Sequence, residues 1–429
     1  MSFLDPILQI IAANRWFFDP VYAFAEPVFA IILYLAVFLT IIYFFMTLVS
    51  IFFKKDNDEL PFDMKLAPFV TIQIPTRNEL IALRCAECCL AFDYPKDKYE
   101  ILIGDDSNQP DVSYQLQEFA NSHQGVKVFK REQNVGFKPG NLNNLLQHTK
   151  GEIIVIFDSD YTPEPDFLKR LIAPFVNDPK VSTVQARWNF NNFSQNLVTI
   201  MASTIIYVFH HVNLTFLHAF DTSSLCGSAE AVKKKDLVEL GGWKSGCLTE
   251  DVEYSLRLHK ANKKMVYLPN LECYSEVPYI AKDLYKQQMR WAYGVVGAYI
   301  FHIPGILFNK GISFKRKLLS MCAGFGYLFP ITIMFMFIFG TMKMISYDTA
   351  SPDVVSFTRD LLYNISLTSG MLVASFYSMY KAKRIRYSLE MILASFSVGL
   401  VTTYYVNKGI FKSVIGQPMD WFLLAKKAN

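Results

Sequence analysis

The sequence predicts an α/β domain, a parallel sheet with helices on both faces, set between membrane helices. Three observations carry that expectation. Short apolar runs alternate with polar helical stretches from Phe69 to Trp188, the pattern of buried parallel strands and their crossover helices. Two of these runs end directly in acids, Asp105-Asp106 and Asp158-Ser159-Asp160. Long charge-free apolar stretches stand on either side. The chain of 429 residues is 52% hydrophobic and 19% charged, too apolar for an ordinary soluble enzyme.

The first element is Val28 to Phe53, uncharged and longer than the ~20 residues a spanning helix needs. Lys54 and Lys55 follow it. Its length and the lack of a small-residue cleavage site argue against a cleaved signal. Leu318 to Met342 is a second run, preceded by Lys315-Arg316-Lys317, and Leu361 to Tyr380 a third, followed by Lys381, Lys383, Arg384 and Arg386. Three spans put all the basic clusters on one side, the cytoplasm. The N-terminus, where Asp5, Asp19 and Glu26 outnumber Arg15, then lies outside. Ser388 to Val406 carries Glu390 and several hydroxyls, and spanning would strand Lys408, Lys412, Lys426 and Lys427 outside. An interfacial helix is expected there, and another at Ala298 to Phe308, which Pro304 breaks.

Within the domain, Phe69 to Ile74, Ile101 to Gly104, Val126 to Phe129 and Ile153 to Phe157 read as buried strands. Leu80 to Leu90, Tyr114 to Ala120 and Asn141 to Gln147 read as helices between them. Ligands of such sheets bind beyond the carboxyl ends of the strands, which is where Asp105-Asp106 and Asp158-Ser159-Asp160 fall. An acidic strand-end turn is the plain alternative for Asp158 and Asp160. Acids at i and i+2 can aim at one point, and Mg²⁺ or Mn²⁺ binds one or two carboxylates together with substrate phosphates. The cation would neutralise a diphosphate as a sugar C1–O bond breaks. No Walker or Gly-x-Gly-x-x-Gly loop is present to cradle phosphates instead. Lys138, near a turn, is a candidate phosphate or ribose contact.

Thr249-Glu250-Asp251 opens a helix expected to reach about Ala261. It fits an ordinary helix cap, and equally a carboxylate base for an acceptor hydroxyl. Gln287-Gln288-Met289-Arg290-Trp291 lies on a helix leading to the membrane. Arg290 suits a diphosphate and Trp291 a sugar face, although Arg-Trp pairs also anchor proteins at interfaces. His210 and His211 sit in an apolar helical stretch as packing residues. The seven cysteines are odd in number and scattered, so no disulfide framework is expected. Cys85, Cys88 and Cys89 look like a metal tract but have no second Cys or His pair at zinc spacing. Net charge is only +4, which leaves nucleic acid out as a partner.

The ordered set Pro75-Thr76-Arg77-Asn78-Glu79, Asp105-Asp106, Lys138-Pro139-Gly140-Asn141, Asp158-Ser159-Asp160, Cys226-Gly227-Ser228-Ala229, Thr249-Glu250-Asp251 and Gln287 to Trp291 resembles the family 2 processive membrane glycosyltransferases. These include cellulose, hyaluronan, chitin-oligosaccharide and mannan synthases. The resemblance covers about residues 69 to 310. It implies a GT-A (Rossmann-like) fold and inverting hexosyl transfer that forms a β-linkage. Asp251, beside Glu250, would be the base, and Asp158 and Asp160 would bind Mg²⁺ or Mn²⁺ and the diphosphate. Thr76, Asn78, Glu79, Asp105, Asp106 and Lys138 would surround the nucleotide. Gln287, Arg290 and Trp291 would meet the diphosphate and Cys226, Gly227, Ser228 and Trp291 the acceptor. Val184 to Phe190 is similar to plant mannan and xyloglucan-backbone synthases, and Cys226 to Ala229 to bacterial cellulose synthase. The tail Trp421 to Lys426 resembles a gating loop, with Ala425 where a Thr is usual.

The expected organisation is an N-terminal amphipathic segment and transmembrane helix over 1–55, a cytoplasmic glycosyltransferase domain over 56–297, and an interfacial helix over 298–317. Two transmembrane helices over 318–380 follow, then an interfacial helix and gating-loop-like tail over 381–429. The expected function is transfer from a nucleotide sugar to a growing β-linked polysaccharide, coupled to its translocation, with UDP-glucose the first donor choice and GDP-mannose the second. A single-sugar transferase to a ceramide or glycerolipid is the alternative. A carrier with an inactive nucleotide-binding domain is remote, since no intramembrane ion pair marks a pathway. Membrane lipids are expected partners, a homo-oligomer is left open, and the location is a plasma (inner) membrane, or the Golgi in a eukaryote.

Overall fold

The computed structural model describes residues 13–53, 60–322, 324–346 and 354–419. Asp5, the Lys54-Lys55 pair and the tail from Trp421 to Lys427 lie outside the described residues.

The chain begins with α1 (Arg15–Phe52), which feeds β1 (Val70–Thr76), α2 (Ile81–Leu90), β2 (Tyr99–Asp105), α3 (Pro110–Ser122), β3 (Val126–Lys130), α4 (Phe137–His148) and β4 (Ile153–Ile156). These four strands and three helices fall where the apolar alternation puts them. Then come α5 (Phe167–Asn177), β5 (Val181–Phe190) and α6 (Leu197–Val208), which runs through a π-helical turn at Phe209–Leu214 into α7 (Thr215–Ala219). β6 (Glu230–Lys233), α8 (Lys234–Glu239), α9 (Glu250–Lys260) and β7 (Lys264–Ser275) complete the sheet.

Strand order is β3-β2-β1-β4-β6-β5-β7. β1 pairs parallel with β2 and with β4, so the chain winds one way from β1 to β3 and then crosses to β1's other side. The crevice at that reversal is where open sheets bind ligands. The sheet is mixed rather than all parallel, because β6 runs antiparallel to both β4 and β5. Ile72, Ile74, Ile103 and Val155 are fully buried beneath α2, α5 and their neighbours, each such side chain contributing about 1.5–3 kcal/mol.

Beyond the sheet lie α10 (Ala281–Leu307), α11 (Phe314–Cys322), α12 (Leu328–Ser346), α13 (Val354–Leu367), α14 (Gly370–Lys381), α15 (Ser388–Ala394) and α16 (Leu400–Val414). Among the described residues, four stretches are long and apolar enough to cross a membrane by length and composition: Arg15–Phe52, Leu197–Ala219, Phe325–Lys343 and Ile385–Val414. Leu197–Ala219 is 72% buried inside the protein, against 22% and 6% for the first and third. Its apolar surface is thus used internally. α1 and α12 lie antiparallel, with Phe24 on Phe339, Tyr43 on Phe329 and Lys343 paired to Glu26 at 3.2 Å.

Two membrane expectations change. Leu361 to Tyr380 is not one continuous helix, because α13 ends at Leu367 and α14 starts at Gly370. The Thr368 and Ser369 hydroxyls turn back onto the carbonyls of Asn364 and Ser366, competing with helix continuation. Gly370 lies so close to α1 that a Cβ there would sit 2.6 Å from Thr40 backbone. Ala298 to Phe308 is likewise no separate element, since α10 runs through Pro304. α16 runs parallel to α10: Tyr405 stacks on Tyr285, Gly409 meets the Met289 carbonyl and Ser413 faces Gly297.

Candidate active site

The crevice at the β1/β4 reversal is a cavity of about 200 Å³. Thr76 enters it from the end of β1 and Arg77 and Glu79 from the turn after it, Asp106 from just beyond β2, and Asp158 and Asp160 from the turn after β4. Lys138 comes from the first turn of α4, Cys226 and Gly227 from the turn before β6, Glu250 and Asp251 from the start of α9, and Gln287, Arg290 and Trp291 from α10. Tyr161 and Trp188 also line it.

Lys138 is the electrostatic centre. Its Nζ lies 2.7 Å from Asp158 Oδ1 and 3.3 Å from Glu250 Oε1, and donates to the Gly227 carbonyl at 2.5 Å. Burial by itself would lower this ammonium, but Asp158 and Glu250 outweigh it and hold the group raised. Asp251 experiences the opposite. Burial, then the neighbouring Glu250, push its carboxyl up to about 7, with Lys138 opposing. The Asp251 Oδ2 lies 3.3 Å from where a Cβ on Gly227 would stand, so a side chain there would press on the carboxylate, and the φ of +89° at Gly227 favours glycine by itself.

The cap alternative for Thr249 does not hold. Its side chain makes no capping bond, and its buried hydroxyl has no partner. Instead Gly294 of α10 packs on Thr249 so closely that a Cβ would be 2.6 Å away. The acids at the start of α9 do meet the favourable end of the helix dipole. Arg290 is part-buried, donates to the Leu248 carbonyl at 2.8 Å, and its guanidinium is held below its usual value by desolvation. α10 therefore grips the loop that delivers Glu250 and Asp251.

Three sequence-predicted residues stay outside the cavity. Asn78, at φ +56°, accepts from the Asn108 and Gln109 backbone N–H groups and ties the β1 turn to the β2 turn. Asp105 is fully buried and accepts from the Ser107 N–H at 2.8 Å. Ser228 accepts from the Asp158 N–H at 2.8 Å through its hydroxyl, beneath the floor. All three shape the site from behind.

Two residues were not read from the sequence. Arg131 grips Asp106 with two hydrogen bonds, at 2.7 and 2.5 Å, and also donates to Val135 and Phe137 carbonyls, fixing the loop that carries Lys138. Glu230, buried in the sheet, accepts from the Gly227 and Cys226 N–H groups at 2.8 and 3.2 Å. Arg131 follows β3 as Asp106 follows β2, a complementary pair at adjacent strand ends that spacing could have suggested. Glu230 is the first residue of a four-residue strand, with no local signal.

Asp158 and Asp160 supply hard carboxylate oxygens suited to Mg²⁺ or Mn²⁺. Asp158's side chain is 35% exposed toward the cavity, and Asp160 accepts from the Glu276 N–H at 3.2 Å. No group of three or more His, Cys, Asp or Glu placed to hold a metal occurs among the described residues. A cation on this pair would complete its shell with phosphate and water, as Mg²⁺ commonly does.

A family model described as glycosyltransferase-like family 2 matches residues 67–294, just over half of the chain. The chain belongs to this family. As a family 2 glycosyltransferase it is 31% identical over 291 residues to glucomannan 4-beta-mannosyltransferase 2 of Arabidopsis thaliana, covering 63% of this chain and 54% of that protein. It is 28% identical over 323 residues to probable glucomannan 4-beta-mannosyltransferase 15 of the same plant, covering 68% and 60%. The chain thus spans little more than half the length of these relatives. Its fold is of GT-A type: the mannosyltransferase PcManGT from Pyrobaculum calidifontis, solved with GDP-Man and Mn²⁺, superposes with a TM-score of 0.65 at 17% identity, over 92% of this chain and 100% of that one.

Proposed function

We propose that this chain is a membrane-embedded, inverting hexosyltransferase that moves a hexose from a nucleoside-diphosphate donor to a hydroxyl of a β-linked glycan. The convergence of Asp158, Asp160, Lys138, Asp251 and Arg290 on one cavity carries the reading. Asp251 is the base. It takes the acceptor hydroxyl proton as that oxygen bonds to the anomeric carbon and the C1–O bond to the diphosphate breaks. The departing electron pair goes to the diphosphate oxygen, opposite the new bond, which inverts the carbon. Lys138 and Arg290 meet that charge, and Trp188 and Trp291 offer faces for the acceptor sugar. A divalent cation held by Asp158 and Asp160 would supply Lewis-acid stabilisation of the diphosphate.

The named relatives are mannosyltransferases and the solved neighbour holds GDP-Man, which moves GDP-mannose ahead of UDP-glucose as the proposed donor. The cytoplasm is the proposed side of the domain, since the basic clusters flank it. α1, α12 and the α13–α14 pair are the proposed spans, and α15–α16, running along α10, is proposed to stay interfacial. A plasma membrane, or the Golgi in a eukaryote, is the proposed location.

The test incubates the purified protein in nanodiscs with GDP-mannose, UDP-glucose and UDP-N-acetylglucosamine, Mn²⁺ or Mg²⁺, and oligosaccharide acceptors. Release of nucleoside diphosphate with a ladder of products supports the proposal. A single glycolipid product moves the acceptor to a lipid, and no release from any donor overturns the activity.

A further inference from the structure

Glu230 is a buried carboxylate with a task the transfer reaction does not itself assign. It opens β6, paired across to Ile156 on one side and Gln185 on the other. Its side chain folds back so that one oxygen, Oε2, accepts from two consecutive amides, Gly227 at 2.8 Å and Cys226 at 3.2 Å. Gln185 reinforces the same turn, accepting from the Cys226 N–H at 2.8 Å and donating to the Ser228 carbonyl at 3.0 Å. The backbone held this way is unusual, with Gly227 at φ +89° and Ala229 at φ +49°. An Ala stays in the left-handed region only where its surroundings impose it.

The outward face of this turn touches the charged groups of the cavity. Gly227 gives its carbonyl to Lys138 at 2.5 Å, and Ser228 gives its hydroxyl oxygen to the Asp158 amide at 2.8 Å. Asp251 lies against Gly227. A shift of the Gly227 peptide would therefore move the carbonyl that seats Lys138 between Asp158 and Glu250. We propose that Glu230 is a positioning residue, whose buried oxygen holds the Cys226–Gly227–Ser228 turn and through it aligns Lys138 for the diphosphate. The proposal rests on the transferase reading for what Lys138 does, though not for how it is held. Burial first, and Asp251 second, push the Glu230 carboxyl up to about 8, so near neutral pH it is largely the acid. Its carbonyl oxygen is then the acceptor, which a Gln amide reproduces.

The experiment compares wild type, Glu230→Gln and Glu230→Ala in nanodiscs. It measures steady-state turnover and the rise in melting temperature on adding GDP or UDP with Mn²⁺. Glu230→Gln is expected within about threefold of wild-type turnover with the full nucleotide-induced rise. Glu230→Ala is expected to lose at least tenfold in turnover and most of that rise. Glu230→Ala within threefold of wild type overturns the proposal, as does a Glu230→Gln that fails as severely while still folding, since charge rather than the accepting oxygen would then matter. If Glu230→Ala does not fold, Glu230→Asp, which shortens the side chain and draws its oxygen back from the Cys226 and Gly227 amides, carries the test: at least a threefold loss supports the proposal, and unchanged turnover overturns it. If wild type transfers no hexose, the transferase reading fails by itself, and the nucleotide-induced melting shift of the same variants still decides the role of Glu230.

Discussion

Replacing Asp251 by Asn removes the proposed base and leaves shape nearly unchanged. A positioned general base contributes typically 10²–10⁴-fold, so turnover should fall by at least about 100-fold, with donor affinity little altered because Lys138, Asp158 and Arg290 remain. The structure also fixes a pH signature. With the carboxyl at about 7, wild-type turnover should rise with pH to a plateau just above neutrality, and the variant should lack that limb. Stability should move the other way. The folded carboxyl is raised above its unfolded value of 3.8, so its favourable contribution is complete below pH 3.8 and is lost as pH climbs through about 7. At pH 8 the wild type bears the whole cost, roughly 4 kcal/mol at 1.36 kcal/mol per pH unit. Asp251→Asn should therefore unfold later than wild type at pH 8, and the gap should shrink steadily toward pH 4. Diphosphate release and thermal unfolding across pH 4–9 measure both. Turnover within tenfold of wild type, or a stability gap that does not grow with pH, would refute the assignment.

Other perturbations have distinct expected outcomes. Lys138→Met should abolish diphosphate release and destabilise the domain by about 3–5 kcal/mol, since it strands the buried Glu250 without its cation; denaturant unfolding reads this directly. Gly294→Ala should overpack α10 against Thr249, at a cost of about 1–3 kcal/mol, lowering melting temperature and turnover together. Gly305→Ala on the same helix, where a Cβ meets only the flexible Lys260 tip at 3.3 Å, should do neither. Stripping divalent ions with EDTA should stop transfer reversibly, with Mn²⁺ or Mg²⁺ restoring it. The fold should keep its melting temperature, because Lys138 already balances Asp158.

Much of the site was legible in the sequence because its signals are local. A buried parallel strand announces itself by an apolar run, and an acid directly after that run must lie at the strand's carboxyl end. Asp106, Asp158 and Asp160 were placed at the candidate site that way, Thr76 came only through the family resemblance, and the ordered motifs added Asp251, Arg290 and Trp291; all of them line the cavity. The same logic overreached at Asn78, Asp105 and Ser228. Each stands inside a motif, but side-chain direction at a turn depends on one dihedral that neighbours in space decide. Asn78 turns to Asn108 and Gln109, and Ser228 turns under the Asp158 amide.

By itself, the sequence determined four of the seven strands and which acids stand at their carboxyl ends, since periodicity and adjacency are properties of a short segment. Only the tertiary structure decided that β6 enters the sheet antiparallel and that Leu197–Ala219, apolar enough for a bilayer, spends its surface inside the protein. It alone made Lys138 the hub of the carboxylates and buried Glu230 behind Gly227. The physical reason is the same in each case. Burial and charge pairing are set by groups brought together across the chain, as Lys138 is with Gly227 and Glu250, and no local pattern encodes who the distant partner will be.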